Sequence, residues 1–198
     1  HLQRDPGLMY ERLRSRRRAD MKLRAIEMFH TAPPIETIPN PADWWQERHI
    51  IARRLLENKQ YGSAYELVSR HMQEDGLAFA QGEFMAGWLA LEYVDKPTRA
   101  YEHFEALYHR TTTPLSRSRG AYWAGKAALK LGQKELADKW FHVAASHQTT
   151  FYGQLALERL KMEGNILNVQ PPAVIPEAQA YFEREEMVQI ARLLHKAG

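Results

Sequence analysis

Apolar residues along this chain recur at three- and four-residue spacing, the period of an amphipathic helix, and almost nowhere alternate as strands do. With caps and breakers added, the pattern predicts helices near residues 8–30, 43–58, 61–73, 78–94, 97–110, 115–131, 134–146, 150–163 and 177–197. Pro97 suits a first helical turn, where its missing N–H has no acceptor to lose. Gly132 suits the position just past a helix end. Two proline-rich stretches, "TAPPIETIPNPAD" (31–43) and "NILNVQPPAVIP" (165–176), read as connectors, the first equally as a hinge between two stacks.

A longer period overlies the helical one. Ala64, Ala100 and Ala137 stand 36 and 37 residues apart, and Val68, Phe104 and Phe141 follow each by four. Trp88 and Trp123, 35 apart, align upstream of them. Helix–turn–helix units at a period in the thirties predict an all-α fold, an α-solenoid resembling tetratricopeptide repeats. The small residue lets two helices approach, and the large one fills the groove beside it. On this reading residues 1–30 end a preceding helical repeat, 31–43 connect, and 44–198 form an α-superhelical domain that continues past the last residue. Both ends look like cuts in a longer chain.

Three glycines contradict the helices that hold them. Gly87, Gly125 and Gly153 sit among aromatics, and each costs about 1 kcal/mol relative to alanine in a helix interior. Close packing is the expected compensation, with a ring lying where Cβ would be. For Gly153 the expected rings are Trp140 and Phe141. Beside it, Gln154 is expected to satisfy a helix end or a loop carbonyl.

Composition adds exclusions. At 198 residues, 44% hydrophobic and 26% charged, the chain is ordinary for a folded protein. A net charge of +3 permits an anionic partner without requiring one. The absence of cysteine removes disulfides, thiolate nucleophiles and zinc–thiolate sites. No apolar run reaches the roughly 18 residues that span a bilayer.

The candidate chemistry is sparse. Glu183 and Glu186 in "EREE" supply carboxylates, but on what reads as a solvated helix face. His103/His109 and His142/His147 are spaced by six and five, not the four that puts two metal ligands on one helix face. Solvent-facing or capping histidines are expected, and no cofactor or metal is implied. Arg12, Arg14, Arg16, Arg17 and Arg18 form the strongest charge signal, read as a solvated face or as a patch for an anionic polymer. No stacking aromatics accompany them in an RNA-binding motif, which disfavours nucleic acid. The Trp44–Trp45 pair offers a ring to stack on a sugar, with burial of at least one as the competing expectation.

"RGAYWAGKAAL" followed by "TTFYGQLAL" carries a more specific signal. Arg119, Tyr122, Trp123 and Gly125, then Phe151, Tyr152, Gly153 and Gln154, resemble the helical-scaffold region of bacterial soluble lytic murein transglycosylases. "DPGLMYERLRSRRR", "ADWWQERHIIARRLL" and "FMAGWLALEY" extend the resemblance over most of residues 5–198, with Lys126 standing where arginine is expected. The resemblance implies a curved or ring-shaped periplasmic scaffold that positions peptidoglycan glycan strands, and it gives Gln154 a second expected role, fixing the last repeats against which a following domain docks. A separate C-terminal lysozyme-like domain then cleaves them non-hydrolytically to 1,6-anhydro products. That domain's Glu-Ser and Gly-Leu-Met-Gln motifs do not occur here. The implied partners are glycan strands, the catalytic domain itself and other cell-wall proteins. A stand-alone protein-interaction scaffold is the alternative, and a catalyst within these residues ranks last.

Overall fold

The computed structural model describes residues 5–162 and 175–197, and among them every regular element is helical. Four pairs of successive helices pack as hairpins: α1 (Pro6–Arg18) with α2 (Lys22–His30), α3 (Pro41–Glu57) with α4 (Tyr61–Val68), α5 (Gly76–Glu92) with α6 (Pro97–Arg110), and α7 (Pro114–Lys130) with α8 (Lys134–Ala145). A 3₁₀ turn, Ile35–Thr37, lies between α2 and α3, and α9 (Phe151–Arg159) follows α8. The odd-numbered helices also touch in series, α1 on α3, α3 on α5, α5 on α7 and α7 on α9. The chain divides into two compact units, His1–Gly164 and Asn165–Gly198; α10 (Pro176–Arg184) and α11 (Glu186–Ala197) pack on each other within the second. Among the described residues no helix is long and apolar enough to cross a membrane.

Two expected helices are each two. The helix expected over 8–30 breaks at Asp20, whose φ of +56° is left-handed. Met21 N–H reaches back to Arg16 O at 2.9 Å and Asp20 N–H to Arg17 O at 3.1 Å, so the orphan carbonyls of α1 are satisfied without a glycine. The helix expected over 177–197 breaks at Glu185, which is extended at ψ 128°. Its carbonyl accepts from Val188 and Gln189 at 3.0 and 3.1 Å, opening α11. The helix expected over 61–73 ends early, at Val68, and most of the 165–176 connector lies outside the described residues.

The alanine period is one repeat longer than the sequence pattern suggests. Ala25 joins Ala64, Ala100 and Ala137, and all four have no exposed surface. Each donates its N–H at 3.0 Å to the carbonyl four residues earlier, of Met21, Gln60, Lys96 and Gln133. Five residues before each alanine stands a left-handed residue: Asp20, Lys59, Asp95 and Gly132, with φ of +56°, +58°, +49° and +76°. Four residues after each comes a buried apolar side chain, Phe29, Val68, Phe104 or Phe141. The turn geometry thus repeats although only one of the four turns uses glycine.

The glycines of α5 and α7 belong to the same register. Counting back from the left-handed residue gives Leu13, Ala52, Gly87 and Gly125, all buried. The third turn holds one extra residue, since Lys96 N–H bonds to Ala90 O where the other turns close five residues back. A Cβ on Gly87 would lie 2.6 Å from the Phe104 ring, and one on Gly125 would lie 2.8 Å from the Phe141 ring. Burying a phenylalanine stabilises by roughly 1.5–3 kcal/mol, more than the helix cost of the glycine. This register also corrects the alignment of Trp88 with Trp123. Trp88 meets Tyr93 at 5.0 Å between centroids, whereas Trp123 meets Phe104 at 5.7 Å and Phe84 at 5.9 Å.

Gly153 is different. Its missing Cβ would fall on the carbonyl oxygen of His147, not on Trp140 or Phe141. That carbonyl accepts from Thr150 N at 3.0 Å and Thr150 Oγ1 at 2.8 Å, while Thr150 Oγ1 accepts from Gly153 N at 3.1 Å. The glycine is therefore part of a tight turn and helix cap between α8 and α9.

Candidate functional site

The arginines of α1 are largely engaged in packing. Arg17 pairs with Glu47 of α3 through Nε to Oε2, and its Nη2 donates to Oε1 at 3.0 Å. Glu47 is 3% exposed, and its hydrogen bonds raise the Arg17 pKa. Arg14 donates to Glu11 at 2.9 Å and lies 4.0 Å from Glu47. Arg16 Nη1 donates to the Arg24 carbonyl at 3.1 Å, tying α1 to α2. Among the arginines of the run only Arg12 and Arg18 are exposed. The run thus combines a clamp, in which Arg17 holds α3 and Arg16 holds α2, with an exposed face at Arg12 and Arg18.

Trp44 offers no sugar-stacking face. It is 6% exposed, with Tyr10 and Phe29 at 6.1 and 6.2 Å between centroids. Trp45 is 3% exposed, stacks on His49 at 5.3 Å and donates Nε1–H to Gln81 at 2.9 Å.

The paired motifs do come together. Tyr122 of α7 lies 5.6 Å from Tyr152 of α9 and 5.6 Å from Phe141, whose ring covers Gly125. The Arg119 guanidinium sits 4.4 Å over the Phe84 ring; burial lowers its pKa. Lys126, in place of the expected arginine, lies 4.0 Å over Trp123 and pairs with Glu92 at 2.9 Å. Phe151 and Gln154 face outward, and among the described residues the Gln154 amide makes no side-chain hydrogen bond. Among those residues, then, no helix end or loop carbonyl receives the expected hydrogen bond from Gln154. Glu183 is half-buried, accepting from Gln179 at 3.3 Å and lying 3.5 Å from Arg192, while Glu186 is exposed.

A second enclosed charge cluster, around Glu83, has no counterpart among the expected sites. Glu83, near the middle of α5, accepts from His71 Nε2 at 3.2 Å and meets His103 Nδ1 at 2.5 Å. His71 comes from the loop after α4 and His103 from α6, so one carboxylate ties three elements together. The Gln73 N–H donates to His71 Nδ1 at 3.0 Å, which leaves Nε2–H as the donor toward Glu83. Gly82 makes room, because a Cβ there would lie 2.7 Å from the His71 ring. Burial alone would raise the Glu83 pKa, but the hydrogen bonds from His103 and His71 outweigh it and hold it at about 2. His71 and His103 are thus neither solvent-facing nor capping. The one sequence signal was a carboxylate inside the apolar run "FAQGEFMAGW".

This cluster suits a structural anion. A general acid for glycosidic cleavage must hold its proton near neutral pH, and Glu83 has lost it far below. Among the described residues no group of three His, Asp or Glu side chains is placed to hold a metal ion.

Comparison with protein families, with curated proteins and with solved structures finds no match.

Proposed function

We propose that this chain is a non-catalytic α-superhelical scaffold of a periplasmic peptidoglycan lytic transglycosylase, built from helix–turn–helix repeats. It would position glycan strands for a lysozyme-like domain outside these residues. The observation that carries the reading is the meeting of the two motif segments, with Tyr122 against Tyr152 and Phe141 over Gly125. The four-fold recurrence of left-handed turn, buried alanine and apolar partner supports a repeat scaffold, as does the serial contact of odd-numbered helices. The ionised state of Glu83 argues against that residue as the general acid of glycosidic cleavage.

Co-sedimentation with intact sacculi tests it, with the soluble products read by mass spectrometry. The chain should sediment, more weakly as salt rises, because Arg12 and Arg18 are its outward charges on α1. It should release no anhydro-muropeptides above a buffer control. Absence of sedimentation would count against the glycan partner, and product release would restore the enzyme reading. The coding sequence past Gly198 gives a second check: a Glu-Ser motif followed by Gly-Leu-Met-Gln is expected there.

A further inference from the structure

A cavity of about 280 Å³ opens between α2, α3 and α4, with Phe29, Arg48, Ser63, Glu66, Leu67 and Arg70 on its wall. Arg48 is 4% exposed, an unusual depth for a guanidinium. Its guanidinium carbon lies 4.2 Å over the Phe29 ring centroid, and Nη1 donates to the Leu67 carbonyl at 2.5 Å. Among the described residues no carboxylate pairs with it. Burial, and after it the like charge of Arg70, lower its pKa to about 10, so it remains a cation at neutral pH. Arg17 shows the contrast: half-buried, it has the buried carboxylate of Glu47 as its partner.

A buried charge without a counter-ion is costly, and it persists where something else supplies the opposite charge. The guanidinium fork matches a carboxylate, and the same wall carries a second cation, Arg70, and one carboxylate, Glu66. Ile26, Phe29 and Leu67 add an apolar surface, and the volume lies below that of pockets for drug-sized ligands. We propose that this cavity binds the terminal carboxylate of a peptide ending in a small apolar residue, the carboxylate on Arg48 and the side chain against Phe29 and Leu67. Such a terminus has two sources, a protein C-terminus of L-residues or a peptidoglycan stem peptide ending in D-alanine. The site itself does not rest on the scaffold reading; only the second source does.

Calorimetric titration of the whole chain with acetyl-L-Ala-L-Ala, acetyl-D-Ala-D-Ala and their C-terminal amides tests this. At least one free carboxylate should bind saturably, its amide about 10-fold or more weaker, because the charge-assisted hydrogen bonds are lost. Arg48→Met should remove binding. Should that variant fail to fold, Arg70→Gln decides instead, since Arg70 is exposed and its loss should weaken binding about two- to five-fold. Preference for the D-peptide assigns the ligand to the cell wall, and preference for the L-peptide keeps the site while counting against a stem-peptide source. Equal binding of acids and amides, no binding of any peptide, or an unchanged affinity in Arg70→Gln would overturn the proposal.

Discussion

Between α1 and α5 several of the buried contacts carry charge, whereas from α5 to α9 a phenylalanine ring lies on Gly87 and another on Gly125. Glu47, Arg48, His71, Gln73 and Glu83 are all buried within residues 47–83; beyond them, only Ser118 among the described residues is a buried polar side chain. The buried glycines run the other way, at positions 82, 87, 120, 125 and 153. Gly82 and Glu83 sit side by side where the two regimes meet. The same turn and the same buried alanine recur through both. A repeated backbone frame thus accepts two kinds of helix–helix contact, one set by complementary charge and the other by complementary shape.

The sharpest way to break this contrast is to remove one partner of the α1–α3 pair. Arg17→Met leaves the Glu47 carboxylate buried with only Arg14 nearby, at 4.0 Å, and should cost about 3–5 kcal/mol in urea unfolding. Adding Glu47→Leu should recover most of the loss, because two apolar side chains carry no stranded charge. A loss below about 1 kcal/mol in the single variant would mean the pair is only a surface decoration.

Acid tests the second charged contact. The Glu83 carboxyl titrates at about 2 in the fold against its ordinary 4.5, so the unfolded chain takes up the proton first. Its contribution is complete above about pH 4.5 and is lost as pH falls toward 2, to a total of about 3 kcal/mol. Thermal melts of the parent chain and Glu83→Gln should therefore converge over that window. A gap that stays constant with pH would show that the histidines do not stabilise the ionised form.

Shape should fail more gently and in two distinguishable ways. Gly125→Ala and Gly153→Ala should each cost about 1–3 kcal/mol through overpacking. Trimming the obstacle with Phe141→Leu should rescue part of the first, since a side chain blocks it. No side-chain change should rescue the second, since the obstacle is the His147 carbonyl. Equal rescue of both would erase the difference between a ring-covered helix and a cap.

What could be read beforehand follows the same division. Ala64, Ala100 and Ala137 were legible because a buried small residue at a fixed interval leaves a one-dimensional trace. Gly87 and Gly125 were legible because a glycine opposes helix propensity unless a neighbour needs the space. Ala25 was not, because the hydrophobic period runs on through Asp20 and hides the break between α1 and α2. The Glu83 cluster was not, because its partners lie 12 and 20 residues away on other elements, and spacing along one helix cannot find them. Arg17 and Glu47, 30 residues apart, escaped for the same reason, so an internal clamp looked like a surface run.

The smallest expected effect tests whether the turns are one motif. Lys59 and Gly132 hold equivalent places, at φ +58° and +76°, and each following residue closes the turn, Gln60 N–H on Leu55 O at 2.8 Å and Gln133 N–H on Ala128 O at 2.9 Å. An L-side chain in this region is strained by its Cβ against the backbone, and glycine is not. Lys59→Gly should therefore raise stability by about 0.5–1 kcal/mol, net of the greater freedom it gives the unfolded chain. Gly132→Ala should lower it by a similar or larger amount, and no contact change will explain that, because nothing lies within 4 Å of the added Cβ. Opposite signs from matched denaturant curves would establish that backbone conformation, common to both regions, is the element the repeats share. If Lys59→Gly instead destabilises while Gly132→Ala is neutral, the two turns are held by their flanking side chains and the equivalence fails.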